Sequence, residues 1–416
     1  MKKRGTIVGF LAVALVAFFV LNWQPVAAAE KEVRLGVISP SSGNYADQGA
    51  AERRGITMAV EEINAKGGIL GMKVRMIIED TETDPAAAAR KAKKLIERDK
   101  VHFMLGGISS SCAIAISEVA QRANVIYFNT NTNSDACTGK HAHRTNFRVG
   151  PSNHMLVFAI GPWLIKNIGK KWYFMTHDYS WGRSGTAVNR QILKKYGGTE
   201  LGEALIPLGT RDFSSYLIKI RNLPTKPDVI MCTVGGVDLS AMLEQVHEFG
   251  MDKDYNFGFT LRDYPDVWAV GPEKNIGYFA VEWYHKLDAP GVKEFVARYK
   301  KRFPNASIPV PENCCYNGYI GARELLRAAQ RAGTLETTPI IKALEGYTFS
   351  DNMKYNPTTI RSWDHQFIQD VFIGQAKKPE ELKEDPTDFH KIIGYMKGEE
   401  VARTREENPV QLEPYR

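Results

Sequence analysis

Apolar and polar positions along this chain fall into blocks whose period switches between two and about 3.6, the pattern of strands followed by helices. The first block sets the scheme. An apolar strand over Val33–Ile38 leads into a Ser/Gly/Asn loop over Ser39–Gly49, then a helix over Ala50–Ala65 with apolar residues at Ile56, Ala59, Val60 and Ile63, closed by Gly67-Gly68. Strands follow at Lys73–Glu79, Phe103–Gly106, Val125–Phe128 and Asn146–Val149, with helices at Pro85–Asp99, capped by Asp84, and Cys112–Arg122. Such regular alternation predicts an α/β fold whose parallel sheet is covered on both faces.

The alternation then repeats. A helix over Asn153–Asn167 precedes a strand at Trp172–Thr176, a loop at His177–Gly185, a helix at Thr186–Tyr196 and a strand at Glu200–Pro207. Helix Phe213–Asn222, strand Asp228–Thr233, helix Asp238–Phe249 and a short strand at Asn256–Phe259 complete a second set. After strand Gly277–Trp283 come three helices, Gly291–Phe303, Cys314–Ala332 and Thr338–Leu344, then a β-rich segment, Tyr347–Ile373. This order predicts two similar lobes: residues 30–150 plus 283–347, and residues 151–282 plus 348–395, with a charged tail at 396–416. The chain would cross between them near Gly150–Ser152, Gly277–Trp283 and Tyr347–Ser350, and several crossings make a hinge.

Lys2, Lys3 and Arg4 ahead of an apolar run from Ile7 to Leu21, with Ala27-Ala28-Ala29 behind it, predict a signal peptide over residues 1–29. A membrane anchor is disfavoured because the run is short and Asn22, Gln24 and Pro25 interrupt it. About 390 residues remain, more than a single core usually serves. The formal charge of +7 includes those three signal residues, and no basic stripe with interleaved aromatics is visible, which argues against nucleic acid as a partner. Export permits disulfides. Of Cys112, Cys137, Cys232, Cys314 and Cys315, the preferred bridge is Cys112–Cys137, since both follow strands expected to be neighbours; it would contribute roughly 3–4 kcal/mol. Pairing by Cys314 or Cys315 is the alternative, and Cys232 reads as a buried strand residue.

In open α/β sheets ligands sit beyond the carboxyl ends of strands. Three polar loops fall there: the first loop with Tyr45, the run Ser109-Ser110-Ser111 at a helix start, and Asn129–Ser134 with Asn131, Thr132 and Asn133. Hydroxyls and free N–H groups at a helix N-terminus suit a carboxylate, although an ordinary cap is the plain structural alternative. Across the cleft, Trp181 would stack on a ligand and Asp178 would meet a positive group. Arg262 would suit an anion and Asp263 an ammonium. The aromatic residues Tyr264, Trp268, Trp283 and Tyr284 lie near the same edge or in the core. No phosphate-cradling loop, nucleophile elbow or H-E-x-x-H is present, so no enzymatic activity is expected. Cys137, His141 and His143 lack an evident fourth ligand, so neither metal nor other cofactor is expected.

VRLGVISPSSGNYADQGAAERRGITMAVEEINAKGGILG, FMLGGISSSCAIAISEVA, WYFMTHDYSWGRSG and RSWDHQFIQDVFIG together resemble the substrate-binding proteins of the branched-chain amino-acid (leucine/isoleucine/valine-binding) type that serve ABC importers. The resemblance implies a type I periplasmic-binding-protein fold and a monomeric periplasmic receptor for a small amino-acid-like or carboxylate-bearing molecule, with importer membrane subunits as partners. It implies that Tyr45 packs on the ligand, that Ser110, flanked by Ser109 and Ser111, receives a carboxylate, and that Asn131 and Asn133 lie on a ligand-contacting loop. Trp181 stands where the family has a Tyr before a Gly. Asp263 aligns loosely with the family's ammonium-holding Glu, and Val234-Gly235-Gly236 stands where an aromatic residue is expected, so leucine does not follow as the ligand. The rival readings are a ligand sensor for a signalling partner and a secreted α/β hydrolase.

Overall fold

The structure is a computed structural model that describes residues 32–382 and 384–416. The expected signal peptide over residues 1–29 lies outside the described residues. Five parallel strands, β1 (Glu32–Ile38), β2 (Lys73–Glu79), β3 (Phe103–Leu105), β4 (Ile126–Asn129) and β5 (Asn146–Arg148), form the first sheet in the order β2-β1-β3-β4-β5. They alternate with α1 (Ala46–Ala65), α2 (Pro85–Glu97) and α3 (Ser110–Ala123). Strand residues divide by parity, as a pleated sheet requires. Val37, Phe103 and Leu105 join the core beneath α1, whereas Ile38 and Met104 join Leu95 and Ile116 beneath α2 and α3.

The second set contains α4 (Asn153–Asn167), β6 (Lys171–His177), α5 (Ser180–Lys195), β7 (Thr199–Ile206), α6 (Ser214–Arg221), β8 (Val229–Thr233), α7 (Val237–Glu248), α8 (Met251–Asp254) and β9 (Phe257–Phe259). After α9 (Tyr264–Val270) and β10 (Tyr278–Val281) the chain builds α10 (Val292–Arg302), α11 (Asn313–Ala332) and α12 (Thr337–Leu344). Helix α11 lies against α1 at close range. A Cβ on Gly55 would come 1.9 Å from the Cys315 carbonyl oxygen, and one on Gly318 would come 2.5 Å from that of Glu52.

Residues 348–368, expected in the second lobe, instead form a small antiparallel sheet of β11 (Thr348–Phe349), β12 (Thr358–Ile360) and β13 (Phe367–Ile368). It abuts β5 through an Arg148–Gln366 bridge, and Phe367 packs edge-on against Phe128 of the first sheet. The chain returns to the second sheet as β14 (Val371–Ala376) and β15 (His390–Met396), giving the order β15-β14-β10-β9-β8-β6-β7. A short α13 (Gly398–Val401) follows. The remaining tail packs back on the first lobe, where Glu413 meets His143 Nδ1 at 2.6 Å and accepts from the Arg144 amide at 2.7 Å.

The crossings are tied together by buried polar groups. The Arg148 guanidinium, fully buried, donates to Gln366 Oε1 at 2.5 Å and to Thr138 Oγ1 at 2.8 Å. Gln366 donates in turn to the Gly150 carbonyl at 2.9 Å, and Gln369 to that of Val149 at 2.5 Å.

Two further expectations are corrected. Helix α5 starts at Ser180, so Trp181 and Gly182 stand in its first turn and not in a loop running to Gly185. Gly182 permits this, because its missing Cβ would lie 2.0 Å from the His177 carbonyl oxygen. The Cys112–Cys137 bridge is not formed: all five cysteines are free and buried. Cys112 faces the α2–α3 core beside Ala88 and Met104, while the Cys137 thiol stands 3.7 Å from Thr132 Oγ1.

Candidate functional site

In each sheet the chain reverses its direction of growth once, at β1/β3 in the first and at β6/β8 in the second. Loops leaving such switch points flank a crevice at the carboxyl edge. Here the two crevices face each other, and their loops touch. Tyr45 and Tyr179 meet hydroxyl to hydroxyl at 2.7 Å; Asn44 donates to the Gly235 carbonyl at 3.1 Å; and Ser134 and Ser180 join through their hydroxyls at 2.9 Å. Gln48 on α1 donates to Asp266 on α9 at 2.5 Å.

Between these contacts lies a small cavity of about 20 Å³. The first lobe supplies Tyr45, Ile108, Asn131 and Asn133. The second supplies Tyr179, Trp181, Gly235, Leu261 and Asp263. Tyr179 stands between the other two aromatic rings, with centroids 6.5 Å from Tyr45 and 6.2 Å from Trp181. A cavity this size holds about one water, so a larger guest enters only when the lobes part. A larger hollow, about 340 Å³, lies at the amino ends of β9 and β10, but it is lined by the second lobe alone.

The wall beneath Asn131 and Asn133 is a continuous polar network. Asn131 donates to Glu52 Oε1 at 2.8 Å, and Asn317 on α11 donates to Asn131 Oδ1 at 3.0 Å and also to Glu282. Asn133 donates to Glu282 Oε1 at 2.6 Å. Glu282 thus links the segment leaving β10 to the first lobe. Burial, with Asp263 nearby, pushes its carboxyl up to about 7. Asp263 accepts from Asn313 at 2.5 Å, and burial raises its carboxyl to about 6. Burial and the neighbouring Asp263 carry Asp266 well above the usual carboxylate range. Glu312 caps α11, accepting from the amides of Cys314 and Cys315 at 2.8 and 2.9 Å; burial lifts it to about 8.

Of the expected site residues, Tyr45, Asn131, Asn133, Trp181 and Asp263 come together around the cavity. The others lie outside its lining. Ser110 is fully buried with its hydroxyl accepting from the Ser134 amide at 3.2 Å, Ser109 is buried beside it, and Ser111 follows on α3. Thr132 turns to Asn129, and Asp178 accepts from Arg183 at 2.6 Å. Arg262 is buried away from the cavity. Its guanidinium lies 3.8 Å from the Phe259 ring centre and donates to Asn275 at 3.0 Å and to the Ile276 carbonyl at 3.2 Å. Tyr264 and Trp283 belong to the core, the latter stacked on Tyr316.

Sequence reasoning missed Tyr179, Glu52 and Glu282. Glu52 had a readable signal: with Gln48 and Ile56 it falls at four-residue spacing on the apolar stripe of α1, where an unpaired charge is out of place.

The chain has relatives of known class. Residues 32–381 match the periplasmic binding protein family. A Leu/Ile/Val-binding protein homolog 7 from Brucella suis is 28% identical over 334 residues, covering 76% of this chain and 82% of the relative. A periplasmic binding protein from Burkholderia mallei superposes with a TM-score of 0.83 at 26% identity, covering 91% of this chain and 98% of its own. The leucine-, isoleucine-, valine-, threonine- and alanine-binding protein from Brucella ovis, in its closed conformation, gives a TM-score of 0.77 at 20% identity over 92% of this chain and 99% of its own. The two facing α/β lobes joined by several strands are those of the type I fold, and this chain belongs to the periplasmic binding protein family.

Proposed function

We propose that this protein is a monomeric periplasmic receptor that captures a small amino-acid-like molecule between its lobes and delivers it to the membrane subunits of an ABC importer. The observation that carries this reading is the cavity between the lobes, walled by Tyr45, Asn131 and Asn133 from one and by Tyr179, Trp181 and Asp263 from the other. A guest touching both walls stabilises the closed form through contacts the open form lacks, which is the only way a ligand shifts such an equilibrium. Buried aromatic faces would supply most of the affinity, and the amides and carboxylate the orientation. The lobe division belongs to this reading as 30–150 plus 283–347 and 151–282 plus 369–395, with residues 348–368 acting as part of the hinge.

Export to the periplasm accords with the family and with the N-terminal sequence. No helix among the described residues is long and apolar enough to cross a membrane. The relatives are binding proteins, and the cavity walls carry amides, aromatic rings and one carboxylate where a hydrolase would need a nucleophile beside a base. The test is a thermal-shift screen of amino acids and their derivatives, followed by solution scattering. A bound guest at one hundred times its Kd stabilises by about 2.7 kcal/mol. Stabilisation with a smaller radius of gyration and an unaltered guest supports the receptor; conversion of the guest to product rejects it.

A further inference from the structure

The charge around the cavity is one-sided. Among the described residues, Asp263 is the only ionisable acid or base in its lining apart from the two tyrosines, and no Lys, Arg or His lines it. Around Asp263 stand Asp266 on α9, which Asp263 precedes, Glu282 after β10, Glu312 at the start of α11, and Glu52 on α1, each of these four at most 3% exposed. None of these five carboxylates forms a salt bridge among the described residues. Their bonds come from uncharged donors: Asn313 to Asp263, Gln48 to Asp266, Asn133 and Asn317 to Glu282, backbone amides to Glu312, Asn131 and Thr130 to Glu52. One oxygen of Asp266, Oδ2, is buried with no partner.

The cations of the same region, buried Arg262 and Lys354 and half-buried Arg54, point elsewhere. Arg262 is held by Asn275 and the Ile276 carbonyl, Lys354 donates to the Asp370 carbonyl at 2.8 Å, and Arg54 lies over the Tyr299 ring. They temper the field without facing the cavity. A buried carboxylate without a cation is costly unless it is protonated or a positive group arrives. The aromatic lining, Tyr45 from the first lobe and Tyr179 and Trp181 from the second, favours the second outcome, because these ring faces attract cations by their quadrupoles. An extra negative charge on the guest would find no cation in the lining.

Resting on the receptor reading, we infer that the guest carries net positive charge: an amine, a guanidine or a basic or amidated amino acid, bound with its cationic nitrogen between Asp263 and the three aromatic rings. A neutral zwitterion offers one ammonium but adds a carboxylate to an already acidic chamber.

Two matched pairs isolate charge from shape: leucinamide against leucine, and benzylamine against benzoate. Calorimetry on the mature chain at pH 7 is expected to show each amine binding at least ten-fold tighter than its partner. Asp263→Asn is expected to remove at least ten-fold of amine affinity, and Glu282→Gln a smaller share, with thermal melts confirming that both variants fold. Leucine or benzoate binding as tightly as its paired amine, or neither amine binding, overturns the inference, as does full amine affinity in a folded Asp263→Asn protein. Scattering separates the two readings. Compaction by leucine or benzoate would leave the receptor standing while the charge assignment falls, and tight amine binding without compaction would uphold the charge assignment while counting against closure.

Discussion

Tyr45 and Tyr179, 134 positions apart in the chain, join the two lobes through a hydroxyl pair at 2.7 Å at the edge of the cavity. Tyr45 is buried and Tyr179 half-buried, and desolvation raises both phenols, so each stays protonated and able to donate. Replacing either by Phe leaves the other hydroxyl without its partner in the closed form. A lost hydrogen bond of this kind costs about 0.5–1.5 kcal/mol. Tyr179→Phe and Tyr45→Phe are each expected to weaken guest binding about two- to ten-fold, and the double variant little more, since they remove one shared bond. Calorimetry on the four proteins of the cycle checks this; additive losses would show that the pair does not act as a unit.

Gly236 is the second point of closure. Its φ of +69° and ψ of −158° fall in a region reserved for glycine, and a Cβ there would lie 2.5 Å from the Asn44 carbonyl oxygen across the cleft. Gly236→Ala should therefore cost about 1–3 kcal/mol through its own backbone and also block closure. The expected result is a folded protein with binding weakened more than ten-fold and no guest-induced compaction. Gly55→Ala makes the contrast. It strikes the Cys315 carbonyl inside the α1–α11 contact, so it should lower the melting temperature before it touches binding.

Stability should depend on pH through the buried carboxylates. Glu282 and Glu312 have folded-state values raised to about 7 and about 8, both chiefly by burial. A carboxyl raised on folding contributes fully below its unfolded value, about 4.3, and loses that contribution as pH climbs through the folded value. His285 and His390, held neutral by burial, act in the opposite sense below about pH 6.5. Between about pH 6.5 and 8 the carboxyls govern, and the melting temperature without guest is expected to fall; above about 8 Lys354, lowered to about 8 by burial, acts in the opposite sense. Glu312→Gln should flatten the decline. Calorimetric melts across this window decide it, and a rising melting temperature would mean that the acids are ionised and compensated.

The cysteines give a direct chemical check. All five are free, and burial raises the thiols of Cys112, Cys137, Cys232, Cys314 and Cys315. The native protein is expected to react slowly with a thiol reagent and to release five equivalents on denaturation. Reducing agent should leave the melting temperature unchanged. Three equivalents after denaturation would restore the disulfide.

Most elements were legible because their signals are local. Helix α4 begins and ends where the pattern places it, with Ser152 capping it by accepting from the Met155 amide at 3.1 Å, and Asp84 caps α2 at 2.6 Å. The β15 strand and α9 were missed: β15 is a largely half-exposed edge strand with no clean apolar alternation, and a seven-residue helix carries little periodic signal. Loop chemistry was harder. Trp181 and Asp178 are three residues apart, yet the turn into α5 sends Trp181 into the cavity wall and leaves Asp178 paired with Arg183.

Taken alone, the residue pattern determined two alternating α/β sets, the edges at which their polar loops gather, and a wider set of candidate residues of which Tyr45, Asn131, Asn133, Trp181 and Asp263 line one cavity. These follow from backbone hydrogen bonding and side-chain parity, which act over a few positions. Only the folded chain decided which side chains face the same space. Arg262 was turned into a clamp between Phe259 and Phe279, the serine run was absorbed into the start of α3, and Glu52, Glu282 and Glu312 were gathered from three distant segments. The physical reason is that burial and electrostatic neighbourhood are properties of a three-dimensional environment: whether a charge is compensated depends on residues hundreds of positions away, and no local pattern encodes that distance.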